Sequence, residues 1–436
     1  MARVLGFSHL AFNVQDWDAS MDFYCNKLGL EKMFELVISD KIKEVLPDHP
    51  SVALIGKSAM VYINTGNGTF IELFRPIPGV TDLTTGGPNY DGRGFAHLSL
   101  QIDDLESYME MLRARGVAID SDISSGPDGT IQAWVKDPDG NRIELMEYKE
   151  DALQTRKPLQ IGVNAMSLIK PMKEDFEGVV KQLKEGGIDY LEVMSDWGAK
   201  KETIDFYASL TGGSSGWDID NTVKRLEFMN AMDFPAKGAF IFDEVLLDQA
   251  EAMGEYMAEH GIGYAVLSFF DYDVYEKIEL IRKAAASLKP YGVQLCIHNH
   301  ENDFEKMVDR DGQEKYVMDI FLEQLTADEL MLELDTGWLL YAGVDYVKYI
   351  HEHIERVHVI HLKDICKDYK TAAREDIFVP CGKGAVDFRA VLDAVPLEHR
   401  DRVLYVLDQD ASEADIVQDQ IESVRYIKEL SKRVVI

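Results

Sequence analysis

The chain carries two hydrophobic rhythms that change over near residue 150. In the first part, apolar and polar residues alternate along short stretches, the period-two pattern of half-buried strands. His9-Leu-Ala-Phe-Asn-Val-Gln-Asp16 and His97-Leu-Ser-Leu-Gln-Ile-Asp-Asp104 share this alternation. In each copy an acidic residue then opens a helical stretch that stops near a glycine, Gly29 or Gly116. A second pair of matched strands follows, Thr69-Phe-Ile-Glu72-Leu-Phe and Asn141-Arg-Ile-Glu144-Leu-Met, the latter preceded by the turn signal Asp137-Pro-Asp-Gly140. The pattern predicts two copies of a strand–helix–three-strand (βαβββ) module over residues 1–150.

Residues 151–160 are polar and unpatterned and read as a linker. Beyond them, short apolar runs alternate with amphipathic stretches, the rhythm of a parallel sheet with crossover helices. The runs at 161–166, 189–194, 238–243, 264–269, 293–298, 331–335, 357–362 and 403–408 predict eight strands. Eight such strands over residues 161–436 fit a (β/α)8 TIM barrel better than an open sheet, with a last helix near 413–431 closing the ring. Two domains, α+β followed by α/β, also suit 436 residues, too many for one core.

Composition narrows the partners. A net charge of -32 argues against nucleic acid, whose phosphates need Lys and Arg clusters, and against an anionic membrane surface. Cys25, Cys296, Cys366 and Cys381 are scattered and form no CxxC pair, so reduced thiols are expected rather than a disulfide framework. The start, MARVLGFSHL, lacks the basic and apolar segments of a signal peptide. No apolar run approaches the roughly 20 residues that span a bilayer. A cytoplasmic protein acting on a small molecule is the expectation.

Each copy in the first half places a histidine on its first strand and a glutamate on its last: His9 with Glu72, His97 with Glu144. A lone strand histidine is usually structural, but recurrence at matched positions points to a mixed N/O ligand set, suited to Zn, Fe, Mn, Ni or Co. The motifs H-L-A-F-N-V-Q-D, Phe23-Tyr-x-x-Lys-Leu-Gly29 and D-P-D-G-N-R-I-E-L resemble the vicinal-oxygen-chelate superfamily, which includes glyoxalase I, methylmalonyl-CoA epimerase and ring-cleaving dioxygenases. The resemblance implies that the four positions bind one divalent metal that chelates neighbouring substrate oxygens. It implies no single reaction, and it makes a homodimer paired through these sheets plausible. Tyr62, Phe70, Phe74 and Trp134 are candidates for pocket walls or for core.

In barrels of this kind, active sites lie at the C-terminal strand ends. The ends here carry Glu192, His298-Asn299-His300, Asp335-Thr-Gly, His361-Leu-Lys363-Asp364 and Asp408-Gln-Asp410. Buried carboxylates are costly unless paired or metal-bound, so such a ring is either a metal site or a hydrogen-bonded polar plug. H-N-H, L-D-T-G-W, V-H-V-I-H-L-K-D, Gly382-Lys-Gly384-Ala-Val-Asp387-Phe and D-Q-D resemble the xylose-isomerase-like sugar phosphate isomerase/epimerase superfamily. The resemblance implies a divalent metal (Mn, Mg, Co or Zn) on His298, Asp335, His361 and Asp408. Two positions depart from the common pattern: His298 stands where glutamate is usual, and Asp408 is one methylene shorter than the usual glutamate.

Lys363 lies two residues past His361, on the same strand face, where it would stabilise an oxyanion or pair with a neighbouring aspartate. Glu192 or His300 would serve as general base. Trp197, Trp338 and Phe270 are candidate apolar walls, Glu301 and Glu305 fall on the loop after the fifth strand, and Gly212-Gly-Ser-Ser-Gly216 forms a loop near the mouth. The expected function is metal-dependent isomerisation, epimerisation or dehydration of a keto-sugar, cyclitol or sugar derivative through an enolate or enediolate, with a second metal in the first domain. One alternative is a 3-dehydroshikimate dehydratase-like enzyme fused to a dioxygenase-like domain, although domain order and size count against it. Another is a barrel enzyme whose first domain only binds ligand or dimerises.

Overall fold

The structure, a computed structural model, describes residues 4–14, 16–27, 30–66, 68–80, 94–136, 142–149, 152–155, 157–211, 219–269, 273–412 and 414–435. Gly29, the turn at 137–140, the loop 212–216 and Phe270 lie outside the described residues. The chain divides into two units: residues 1–158 with 429–436, and residues 159–428.

In the first unit the alternating stretches become β1 (Val4–Asn13), β2 (Glu31–Val37), β3 (Ser58–Gly66), β4 (Thr69–Phe74), β5 (Gly94–Ile102), β6 (Ile119–Ser125), β7 (Thr130–Lys136) and β8 (Arg142–Tyr148). The acidic openers are helix caps: Asp16 accepts from the Ala19 N–H and Asp104 from the Ser107 N–H. The second helix, Leu105–Ala114, buries Leu105 and Met109 against Ile102, Ala133, Val135 and Leu145, and Gly116 follows it at positive φ. The first helix, Trp17–Met21, runs into a π-helical turn at Asp22–Lys27.

Strands β1 and β5 pair antiparallel and set the two copies side by side. Within each copy the first strand pairs parallel with the last, Ala11 opposite Glu72 and Ser99 opposite Glu144. His9 and His97 each precede that partner residue by two positions. Since side chains alternate with period two, each histidine therefore shares a sheet face with its glutamate.

The first unit extends beyond the expected boundary at 150. Within the expected linker, Leu153–Thr155 form a 3-10 turn, and Leu153 packs with Phe34, Leu36, Tyr62 and Phe70. Gln154 is buried with its Nε2 donating to Asp128 Oδ2 at 2.6 Å. The stretch reads as a linker because its polar residues outnumber the one leucine that fills the gap. The chain end also departs from the expected division: Arg433–Val435 pairs parallel with β2, as an added edge strand of the first sheet.

In the second unit the eight runs become β9 (Ile161–Asn164), β10 (Tyr190–Ser195), β11 (Ala236–Ile241), β12 (Tyr264–Leu267), β13 (Gln294–His298), β14 (Met331–Asp335), β15 (Val357–Leu362) and β16 (Leu404–Leu407). They close in sequential order, β16 returning to β9. Tyr190, Tyr264, Val266, Cys296, Met331, Val359 and Val406 pack together inside. Gly162 and Gly238 make room for two of these rings, since a Cβ at either would overlap Tyr190 or Tyr264. The final helix is Ile416–Ser431. Among the described residues, no helix is long and apolar enough to cross a membrane.

Candidate metal centres

In the first unit, His9 Nε2 lies 3.1 Å from His97 Nε2, 3.3 Å from Glu72 Oε2 and 3.4 Å from Glu144 Oε2. His97 Nε2 is 3.4 Å from Glu144 Oε2 and 3.8 Å from Glu72 Oε2. The duplicated offset thus brings all four side chains to one point, and all four are buried. Oε2 of Glu72 and Oε2 of Glu144 lack a hydrogen-bond partner, an expensive condition for buried carboxylate oxygens. Two inward imidazoles and two inward carboxylates fit a divalent cation in their midst. Burial alone would lower the pKa of His9, but the Glu72 and Glu144 carboxylates outweigh it and raise it. Burial would raise that of Glu144, yet His97 and His9 bring it down. Tyr62 Oη stands 3.2 Å from His9 Nδ1, and the Trp134 ring packs edge-on against His97 at 4.9 Å. Phe70 packs with Tyr62 in the core, and Phe74 is half-buried at the end of β4.

The barrel centre is built at the C-terminal strand ends. His298, Asp335, His361 and Asp408 each offer a ligand atom, and these atoms all lie within 4.8 Å of one another. His361 Nδ1 is 3.0 Å from Asp408 Oδ2, so the shorter side chain at 408 still reaches its neighbours. Asp335 caps the helix Thr336–Tyr341 through Oδ1, which accepts from the Trp338 N–H at 2.8 Å. Its buried Oδ2 has no hydrogen-bond partner and points at Lys363 Nζ, 3.3 Å away. Asn299 Oδ1 accepts from the Asp335 N–H at 2.9 Å and fixes that strand end. A buried N2O2 donor set, with one carboxylate oxygen that receives no hydrogen bond, fits a divalent cation here too.

Lys363 is buried, with Nζ 3.1 Å from Asp408 Oδ2 and 2.7 Å from Asp410 Oδ1. Burial works against its charge, but Asp335, Asp408 and Asp410 raise its pKa above the ordinary lysine value. Burial likewise opposes ionisation of Asp408, and Lys363 with His361 overcomes it, holding the carboxyl well below its usual range. His298 is held neutral by burial, aided by His361 and His300. His300, beside His298 and Trp338, is pushed down to about 3 by burial and by Lys363, with its Nδ1 3.2 Å from Ser268 Oγ.

Beneath these four lies a second polar layer. Glu192, fully buried, accepts from Asn164 Nδ2 at 2.7 Å, from Tyr264 Oη at 2.7 Å and from His361 Nε2 at 2.9 Å. Sequence reasoning missed Glu333, whose Oε1 lies 3.0 Å from both His298 Nδ1 and His361 Nε2. The signal was available: in Leu332-Glu333-Leu334-Asp335 the period-two rule puts both acids on one face. Asp410, Asn164 and Tyr264 were also missed as partners of site residues. Trp338 is core, packed with Ile365 and Ile377, with the Arg374 guanidinium 4.4 Å over its ring. Trp197 stacks on Tyr256, Glu301 pairs with Arg374, and Glu305 is exposed.

The fold and the two clusters define a two-domain chain with a candidate metal centre in each half. Residues 6–145 match the Glyoxalase/Bleomycin resistance protein/Dioxygenase superfamily, and residues 244–430 match the Xylose isomerase-like TIM barrel. The chain thus carries a match to each of these two families, one after the other. It is 27% identical to an inosose dehydratase of Clostridium perfringens over 163 residues, 35% of this chain and 52% of that protein. The chain thus spans about half the length of that relative. It is 29% identical to a probable lactoylglutathione lyase of Synechocystis over 144 residues, 32% of this chain and 92% of that protein. A sugar phosphate isomerase/epimerase from Parabacteroides distasonis shares the fold with a TM-score of 0.51 at 16% identity, covering 64% of this chain and 97% of that one.

Proposed function

We propose that the barrel isomerises, epimerises or dehydrates a small keto-sugar, cyclitol or related sugar derivative through an enolate or enediolate, using a divalent metal, and that the first unit holds a second divalent cation. The convergence of His298, Asp335, His361 and Asp408 at the barrel mouth carries this reading. Two imidazoles beside two carboxylates favour Mn, Co or Zn over Mg, which prefers oxygen ligands and retained waters. The first-unit set suits Zn, Fe, Mn, Ni or Co.

A cation held by these four would act as a Lewis acid on the substrate carbonyl. His300, beside His298 and Trp338, takes the proton from the carbon beside that carbonyl; burial and Lys363 make it a weak base, so the negative charge developing on the substrate has to raise its pKa. Lys363 places a permanent positive charge next to the set and favours negative charge developing there. Glu192 does not suit the base role considered for it, because it is enclosed and already accepts three hydrogen bonds.

Arg374, over the Trp338 ring, is paired with Glu301, which favours a neutral polyol over a phosphorylated or carboxylated substrate. That pairing weighs against 3-dehydroshikimate, an anion. The similarity to inosose dehydratases favours the dehydratase arm. Turnover of inosose and simple ketoses in D2O, before and after chelation, tests the reading. The expected result is metal-dependent turnover with deuterium at the carbon beside the carbonyl. Turnover that survives chelation, or that incorporates no deuterium, refutes it. His9→Ala with Glu72→Ala tests the alternative of a first unit that plays no part in the barrel's turnover.

A further inference from the structure

We propose that Glu192 and Glu333, one layer below the four ligands, fix which imidazole nitrogen faces the barrel cation: Nδ1 for His361 and Nε2 for His298. The inference rests on the reading of those four side chains as a metal set, and it concerns how that set is held.

The two rings are gripped at opposite nitrogens. His361 Nε2 donates to Glu192 Oε1 at 2.9 Å and lies 3.0 Å from Glu333 Oε1. Its remaining nitrogen, Nδ1, points to Asp408 Oδ2 at 3.0 Å. His298 is held at Nδ1, 3.0 Å from the same Glu333 Oε1, which leaves Nε2 for the upper layer. One carboxyl oxygen of Glu333 therefore touches both imidazoles and couples their orientations.

The grip is itself braced. Glu192 Oε1 also accepts from Asn164 Nδ2 at 2.7 Å, and Tyr264 Oη donates to Oε2 at 2.7 Å, so the carboxylate has no free rotation. Tyr264 occupies space that Gly238 leaves open on the neighbouring strand. Alternation along β14 sets Glu333 directly below Asp335, both fully buried. The trio Glu192, Glu333 and His361 is compact enough to resemble a second cation site. The three donors already on Glu192 favour a bracing role instead. Metal-bound imidazoles generally donate their other N–H to a carboxylate, and losing that partner weakens the metal about 10–100-fold.

The test uses the full chain labelled with 15N-histidine and loaded with zinc, with His298→Gln and His361→Gln proteins assigning the two rings. Zinc is expected at Nδ1 of His361 and Nε2 of His298, each with a proton on the opposite nitrogen. Following occupancy on these resonances keeps the first unit's cation out of the measurement. Glu333→Leu and Glu192→Gln are expected to lower barrel zinc affinity about 10–100-fold. Glu333→Gln, which keeps the shape, should lose less and carries the test if the leucine variant does not fold. Zinc on the opposite nitrogens, or wild-type affinity in every variant, overturns the proposal, even if the variants melt earlier. If zinc leaves both rings unperturbed in the wild type, the metal reading itself fails, and this inference falls with it.

Discussion

The Lys363 ammonium lies 3.1 Å from Asp408 Oδ2, inside a barrel where neither side chain meets much solvent. Asp335 and Asp410 crowd the same cation. Lys363 is therefore the resident positive charge of a site rich in carboxylates. Its removal leaves several buried acids uncompensated, a loss on the order of 3–5 kcal/mol. We expect Lys363→Met to be destabilised by about that amount in chelator, and a divalent cation to recover much of the loss by replacing the missing charge. Urea unfolding with and without Mn or Zn measures both. Equal losses under the two conditions would separate Lys363 from the metal set.

Asp408 supplies the second expectation. The aspartate already reaches His361 and Lys363 at about hydrogen-bond distance, so an additional methylene has no gap to fill. Asp408→Glu, although it restores the residue common in similar barrels, should cost about 1–3 kcal/mol through overpacking. Asp408→Asn keeps the volume but removes the negative charge and should weaken barrel metal binding. Thermal denaturation in chelator and metal titration of both variants separate volume from charge. A more stable glutamate variant would show that the site is looser than these distances imply.

How much of this was legible follows from the range of each interaction. His9, Glu72, His97 and Glu144 could be found because duplication repeated a local pattern, and the two strand pairings then did the rest. The barrel ligands sat at the ends of apolar runs, where the pattern marks strand termini. Glu333 carried the same alternation as Asp335 but lay inside its run, so it read as strand interior. The bracing of Glu192 by Asn164 and Tyr264 joins three different strands, and no local pattern contains it. Leu153 and the Arg433–Val435 strand were missed for the same reason: short segments whose partners lie far away along the chain.

His358 gives the pH dependence. Burial, helped by the positive charge of Arg402, pushes its pKa down to about 4, against an ordinary value near 6.5. The folded state therefore prefers the neutral ring, and the unfolded chain binds the proton more readily. The resulting stability is fully present above about pH 6.5 and is lost as pH falls through 4, about 3 kcal/mol in all. His358→Gln should remove that portion of the acid destabilisation while leaving other titrating groups in place. Urea melts at pH 7 and pH 5, in chelator, compare the two proteins. Parallel losses would mean that the ring titrates normally in the fold.

The C-terminal strand carries the last expectation. Arg433–Val435 lies along β2, with the Glu35 N–H donating to Lys432 O at 2.7 Å and Arg433 Nε 3.0 Å from Glu35 Oε1. Removing residues 432–436 would turn β2 into an open edge, whose unpaired N–H and C=O groups invite exchange and association. The half-exposed ion pair adds about 1 kcal/mol at most, so the backbone ladder is the larger contribution. Hydrogen exchange at the amides of Glu35 and Val37 should accelerate sharply in the shortened protein. Amides of β7 and β8, on the other side of the sheet, should keep their protection. Unchanged protection at Glu35 would show that the final strand only rests against β2, and uniform loss across both modules would show that the sheet cannot fold without it.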